Sequence, residues 1–406
     1  MKVRLFNTAA LAAATLASQG IAQQQEDSLE RALADLNSGL EAQGDANNGP
    51  VWGGYFRARN GWIDNGMETN NVDTDVVATI SMLFNVNDDA RIFAEINDST
   101  AFGDPAGPNV MPPLAPTYDG RNNGAFDVPR FYAEVDGLVG LGGTAKIGRD
   151  EYHVGSGRIV GADDWDNVPV THSGIWYDNE IIQDFMSLHT SLTNDLDTGF
   201  SDENDGRLWV LATPMQFDAA GGIGVMPYYI RFDGAAIFGQ PSGTWFGVAA
   251  DGEIVGFNWD VEVADFSSGD FGGTAFALDL GYELEALESM PFIESGEIMF
   301  KYSSSDDEFS PLAPAYHNHA GYSDRLGRGG QWTAGTDMFG LGIGVVPAEG
   351  WDGELAFYSV EQTGGFGGGE WNEIDLGFGT ELGGGVEAFF GVASVSPDQG
   401  DSELYF

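Results

Sequence analysis

The stretch Lys146–Asn167, KIGRDEYHVGSGRIVGADDWDN, carries three of the chain's 16 Lys and Arg residues among glycines, in a protein with 63 Asp and Glu. Fixed cations attract anions most strongly where a low-dielectric wall focuses their field. Other candidate chemistry is weaker. His317 and His319 stand two apart in a long polar stretch without a third ligand nearby, and read as solvated loop residues rather than a metal centre. Asp163, Asp164 and Asp166, and again Asp202, Glu203 and Asp205, offer carboxylates for weak calcium binding, but neither run fits the EF-hand loop. No cofactor is expected beyond such weak loop calcium. GSGRIVG at 155–161 lacks the spacing of a dinucleotide fingerprint, and no βαβ unit surrounds it. There is no nucleophile elbow, and the scattered carboxylates define no glycosidase pair. The chain is not expected to be an enzyme.

Composition narrows the partners. A formal net charge of −47 and a pI near 4.1 argue against nucleic acid, whose phosphates would be repelled. The absence of cysteine excludes disulfides and zinc–thiolate sites. Fifty-nine glycines and 12% aromatics suit turns and sheet surfaces better than helical bundles.

The elements that must position the cations follow from the patterning. Residues 1–22 combine Lys2 and Arg4, an apolar run from Ala9 to Ala17, and small residues before Gln23, which is a secretory signal peptide. Residues 23–50 form a short periplasmic helix and linker. Leucines 29, 33, 36 and 40 give the helix a stripe that suits a plug or a small oligomerisation element, and Gly44–Pro50 reads as the linker. No later run reaches the roughly 18 apolar residues of a membrane helix. A membrane-embedded chain would therefore need a closed sheet.

From Val51 to the last residue, 51–406, apolar and polar residues alternate. Trp52, Phe56 and Ala58 oppose Tyr55, Arg57 and Arg59; Phe276, Leu278 and Leu280 oppose Asp279. About 18 such segments occur, and 16 is equally admissible. They lie near 51–62, 74–85, 88–97, 127–137, 143–151, 172–179, 181–192, 206–216 and 222–233. The rest lie near 242–250, 253–265, 272–283, 296–303, 336–346, 352–361, 371–380, 384–394 and 400–406. A secreted, acidic, glycan-binding β-protein would alternate too, with one face on a core. Three features favour an all-β class, a transmembrane antiparallel β-barrel. Aromatics recur at segment ends (Trp52, Trp62, Tyr177, Tyr282, Tyr302, Trp351), as interfacial girdles do. Tight turns at Asn87-Asp88-Asp89 and Gly383-Gly384-Gly385 contrast with the long stretches 98–126 and 304–334. The final residues are SELYF, with a terminal phenylalanine.

Applied to the cations, the alternation places Arg57, Arg59, Arg91, Arg130, Lys146, Arg231 and Lys301 opposite the apolar face. A lipid-facing Arg or Lys at mid-membrane costs about 2–4 kcal/mol, so these seven are expected to point into one lumen. There they either line a path for anions or pair with inward acids such as Glu95, Glu134, Asp136, Asp260 and Glu262. Alternation alone leaves both open.

Two stretches carry a family resemblance. The run Gly148-Arg149-Asp150 through Gly155, Arg158 and Gly161, followed by Trp165 and Asn167, resembles the alginate export family's Gly-Arg-Gln-x-x-x-x-Gly-x-x-Arg-φ-φ-Gly signature. FSPLAPAYHNHAGYSDR, 309–325, is similar to that family's Phe-x-Pro-Leu-Phe-Pro-x-x-His-x-x-x-Gly-x-x-Asp loop. The resemblance implies a monomeric outer-membrane barrel of about 18 strands whose electropositive constriction passes an anionic polysaccharide. It makes Arg149 and Arg158 the motif arginines, near that constriction or its loop. The alternation, however, puts Arg149 on the outward face unless the strand bulges or ends before it. Asp150 stands where the family has Gln, and VPVTHSGIWY, 168–177, lacks the arginine that normally follows. Expected partners are outer-membrane lipid and an anionic polysaccharide or small solutes.

Overall fold

The structure, a computed structural model, describes residues 50–64, 71–103, 125–138, 142–162, 169–197, 205–217, 222–234, 242–269, 271–284, 293–313, 321–323, 331–348, 350–364, 369–383, 386–398 and 402–405. The signal peptide and N-terminal helix lie outside the described residues, as do His317, His319 and the carboxylates Asp163, Asp164, Asp166, Asp202 and Glu203.

The period-two segments become antiparallel strands. The first seven are β1 (Val51–Asp64), β2 (Asn71–Asn87), β3 (Ala90–Gly103), β4 (Ala125–Asp136), β5 (Thr144–Asp150), β6 (Thr171–Ile182) and β7 (Met186–Asp197). Next come β8 (Asp205–Ala212), β9 (Met215–Phe217), β10 (Ile223–Gly234), β11 (Gly243–Ile254), β12 (Phe257–Ser268) and β13 (Phe271–Glu283). The last six are β14 (Ser295–Ser305), β15 (Thr336–Ala348), β16 (Trp351–Gln362), β17 (Gly369–Gly383), β18 (Val386–Pro397) and β19 (Glu403–Tyr405).

β8 and β9 are one stave, since both pair with β7 and β10. They part at Thr213-Pro214, where proline has no N–H for the ladder. The 19 segments therefore make 18 staves, each antiparallel to its neighbours, and β19 closes the sheet onto β1 through Ile63↔Tyr405 and Asp64↔Leu404. Short turns gather at one end, as at Asp88-Asp89 and Val255-Gly256, and most of the long connections at the other. In an outer-membrane barrel these ends are periplasmic and extracellular. The sequence places the β11–β12 break near 251–252; it falls at Val255-Gly256 instead, where φ angles of 53° and 76° suit a two-residue hairpin turn.

The outer face is an apolar band. Phe56, Ile80, Ile175, Leu355, Ile374 and Phe390 are all exposed on it, and water cannot stabilise so many bare side chains. Trp52 and Trp351 stand exposed at the turn end. The inner face is of two kinds. Along β1–β7 it is polar. Along β8–β13 it is largely apolar, with Val210, Ile230, Trp245 and Ala277 fully buried, and is interrupted by the acids Asp260, Glu262 and Asp279. A hydrophobic core thus sits inside the barrel, against one wall.

Candidate functional site

Two connections fold inward to build that core. In the β5–β6 connection, Val154 N–H donates to Val160 O at 2.9 Å, closing a small hairpin. In the β14–β15 connection, Ala313 N–H donates to Ile159 O, and Gly161 N–H to Ala313 O, each at 2.8 Å. The two stretches that carry the family resemblance are therefore hydrogen-bonded to each other inside the lumen. Ile159, Val160, Phe309, Leu312 and Trp332 pack on the apolar inner wall, and burying each such side chain contributes about 1.5–3 kcal/mol. Together they form a plug fused to β8–β13. Gly155 takes φ +63°, and a Cβ there would lie 2.5 Å from Glu262 Oε1, so glycine lets the hairpin sit against the wall.

Arg158 pins the plug. The residue is 2% exposed, and every guanidinium nitrogen donates: Nε to Gln331 Oε1 at 2.8 Å, Nη1 to Ser156 Oγ at 2.7 Å and Asp260 Oδ1 at 3.1 Å, Nη2 to Asp279 Oδ2 at 2.7 Å. Glu262 lies 3.6 Å from Nη1 and also accepts from Tyr228 Oη at 2.6 Å and from Ser156 Oγ. Burial opposes the charge, but the Asp279, Asp260 and Glu262 carboxylates outweigh it and hold the guanidinium pKa above its ordinary value. Farther round, residues 321–323 clasp β16 and β17. Tyr322 N–H donates to Asp375 Oδ2 at 2.9 Å and its hydroxyl to Glu354 Oε2 at 2.8 Å, while Ser323 N–H donates to Glu373 Oε1 at 2.8 Å.

The wall beside the plug carries half-buried cations. Arg57, Arg91, Arg130 and Lys146 all lie on the inner faces of β1 and β3–β5. Arg91 binds Glu134. Arg130 Nε donates to Asp150 Oδ1 and Lys146 Nζ to Asp150 Oδ2, both at 2.6 Å, and Glu151 approaches Arg130 at 3.8 Å. Phe93 and Tyr132 stack between these cations with centroids 5.2 Å apart, Arg130 lying over Phe93 and Lys146 over Tyr132. Arg130 and Lys146 keep about a quarter of their side-chain surface in the lumen, and Arg91 40%.

Four of the expected path residues are placed differently. Arg231 is outside the barrel. Its neighbours Ile230 and Phe232 bury into the internal core, so both faces of β10 are partly apolar and alternation chose the wrong one. It sits near the loop end of β10, 3.8 Å from Asp233, where an outward Arg costs only about 0–1 kcal/mol. Arg231→Ser is accordingly expected to leave ion selectivity unchanged and stability within about 0.5 kcal/mol, as checked by bilayer recording and thermal melting. Arg149 also faces outward: β5 runs without a bulge through Phe131↔Arg149↔Ser173, and Nε donates to Ser173 Oγ at 3.2 Å. Arg158 is in the lumen but sealed in the plug. Lys301 is on the inner face but 4% exposed, opposite Asp279, so it lines no open path. The side chain of Arg59 lies outside the described residues, though its backbone pairs with Asp75 in β2.

Sequence reasoning missed the internal core and the carboxylate clasps. The visible signals were the apolar inner faces of β8 and β10 and the inward acids of β12, β16 and β17. Nothing in one strand shows that a loop some hundred residues away covers it.

The alginate export family's sequence profile matches residues 55–320. No curated protein matches the sequence. Among solved structures, OpdQ of Pseudomonas aeruginosa superposes with a TM-score of 0.65 at 9% identity, covering 86% of this chain and 95% of that one. The outer membrane protein OpdK of Pseudomonas aeruginosa gives 0.57 at 10% identity, over 88% and 96%. OccAB1 of Acinetobacter baumannii gives 0.59 at 10% identity, over 87% and 94%. At such identities the likeness is one of fold.

Proposed function

Since this chain belongs to the alginate export family and is an outer-membrane β-barrel channel, we propose that anionic carbohydrate diffuses through it. The solute, a small acidic sugar or an extended chain, passes between the plug and the β1–β7 wall. The observation that carries this is the cation row of Arg57, Arg91, Arg130 and Lys146 on one wall, the last three with a quarter or more of their side-chain surface open. Within a low-dielectric wall such cations stand in for the counterions that an acidic solute loses on entering. The plug narrows the lumen and keeps the solute beside them.

A second reading, a porin with paired lumen charges and little selectivity, is favoured by the carboxylates Glu134, Asp150 and Glu151 set against the same cations. The reversal potential of the purified protein in a planar bilayer under a potassium chloride gradient separates the two. Anion preference is expected, falling when Arg57 and Arg130 are both changed to Gln. Cation preference in the unaltered protein would overturn the anionic path.

A further inference from the structure

We propose that Asp150 sets the charge selectivity of the channel by holding two path cations on one carboxylate, tuning it toward solutes of sparse or mixed charge rather than dense polyanions. The inference rests on the proposed anion path along β1–β5. Asp150 is the last residue of β5, where the wall gives way to the plug, and it is 2% exposed. One carboxylate oxygen accepts from Arg130 and the other from Lys146, both at 2.6 Å. Neither cation is free to swing aside. Each lies against one ring of the Phe93–Tyr132 stack, at 5.0 and 4.5 Å from the centroids. Lys146 reaches along its own strand to Asp150, past Gly148 between them. Gly148 takes φ +140°, and a Cβ there would collide with Phe131 O.

Glu151 lies 3.8 Å from Arg130 and Glu95 stands opposite it in the ladder, while Arg57 shares the surroundings of Tyr55 with both acids, so three cations here face three carboxylates and the cluster is neutral. Removing the Asp150 charge leaves a net positive cluster at the same place, with the aromatic stack still holding both cations toward the lumen. A solute then meets an unmatched cation midway along the wall. As built, the cluster offers hydrogen-bond donors without net charge, which suits a solute bearing few acidic groups.

The test compares Asp150→Asn with the unaltered protein in planar bilayers under a potassium chloride gradient, after both migrate as folded, heat-modifiable barrels. A unit charge changed near a wet path is expected to raise the anion-to-cation permeability ratio about threefold. Glu151→Gln, which meets Arg130 at a longer distance, is expected to raise it less. Should Asp150→Asn fail to fold, Asp150→Gln, which keeps an amide oxygen as acceptor, reads the same ratio. An unchanged or lower ratio in a conducting Asp150 variant overturns the inference alone, as does an equal effect of Glu151→Gln. Absence of conductance from the unaltered protein overturns the channel path and the inference with it.

Discussion

Arg158→Met is expected to free the plug while leaving the barrel folded. The guanidinium lies within salt-bridge reach of Asp260, Glu262 and Asp279 at once, all at the plug face. Its loss leaves three carboxylates converging on an apolar side chain, and breaking a buried ion network of this kind costs about 3–5 kcal/mol. The cost falls on docking of the plug, because the β12–β13 ladder, paired from Phe257↔Tyr282 to Ser268↔Phe271, does not depend on Arg158. Single-channel conductance should rise, protease should cut within 154–162, and heat-modifiable migration should persist. Arg158→Lys should not restore the plug, since one ammonium cannot meet Gln331, Ser156, Asp260 and Asp279 in the directions a planar fork does. Unchanged conductance and unchanged protease resistance in Arg158→Met would refute the role given to this residue.

Trp245→Ala should loosen the other half of the plug by a similar amount, through packing rather than charge. The indole is fully buried on the inner face of β11, stacks on Phe266 at 5.0 Å, and donates from Nε1 to Ser310 O at 2.8 Å. Phe309 lies against Phe266 and Trp332, at 6.2 and 5.6 Å, so the cavity would open among rings that collapse poorly. Truncating such a side chain costs about 3–5 kcal/mol. Proteolysis within 306–313 should become faster, whereas the mirror substitution Phe246→Ala, on the exposed outer face, should leave that segment protected. Equal protection of the segment in both variants would contradict an internal core on this wall.

Strand positions are legible because each strand must alternate to separate an outer from an inner face. Arg57, Arg91, Arg130 and Lys146 follow that rule, and the facing acids Glu134 and Asp150 sit on the same side. The rule fails at Arg231. It assumes that an apolar face is an outer face, and β10 has an apolar inner face because Tyr228, Ile230 and Phe232 meet the plug. The same parity puts Arg149 outward, and the continuous β4–β5–β6 ladder keeps it there.

By itself, then, the sequence determined the number of staves to within two, the lipid-facing band and the interior position of most strand cations. These depend on period-two alternation within single strands. Only the tertiary structure decided which interior charges are accessible. Arg158 and Lys301 are sealed, while Arg130 and Lys146 share Asp150 beside open lumen. Accessibility and pairing depend on where two long connections fold, far from the strands they cover, and on which carboxylates that folding brings within hydrogen-bond distance. Local patterning carries no information on either.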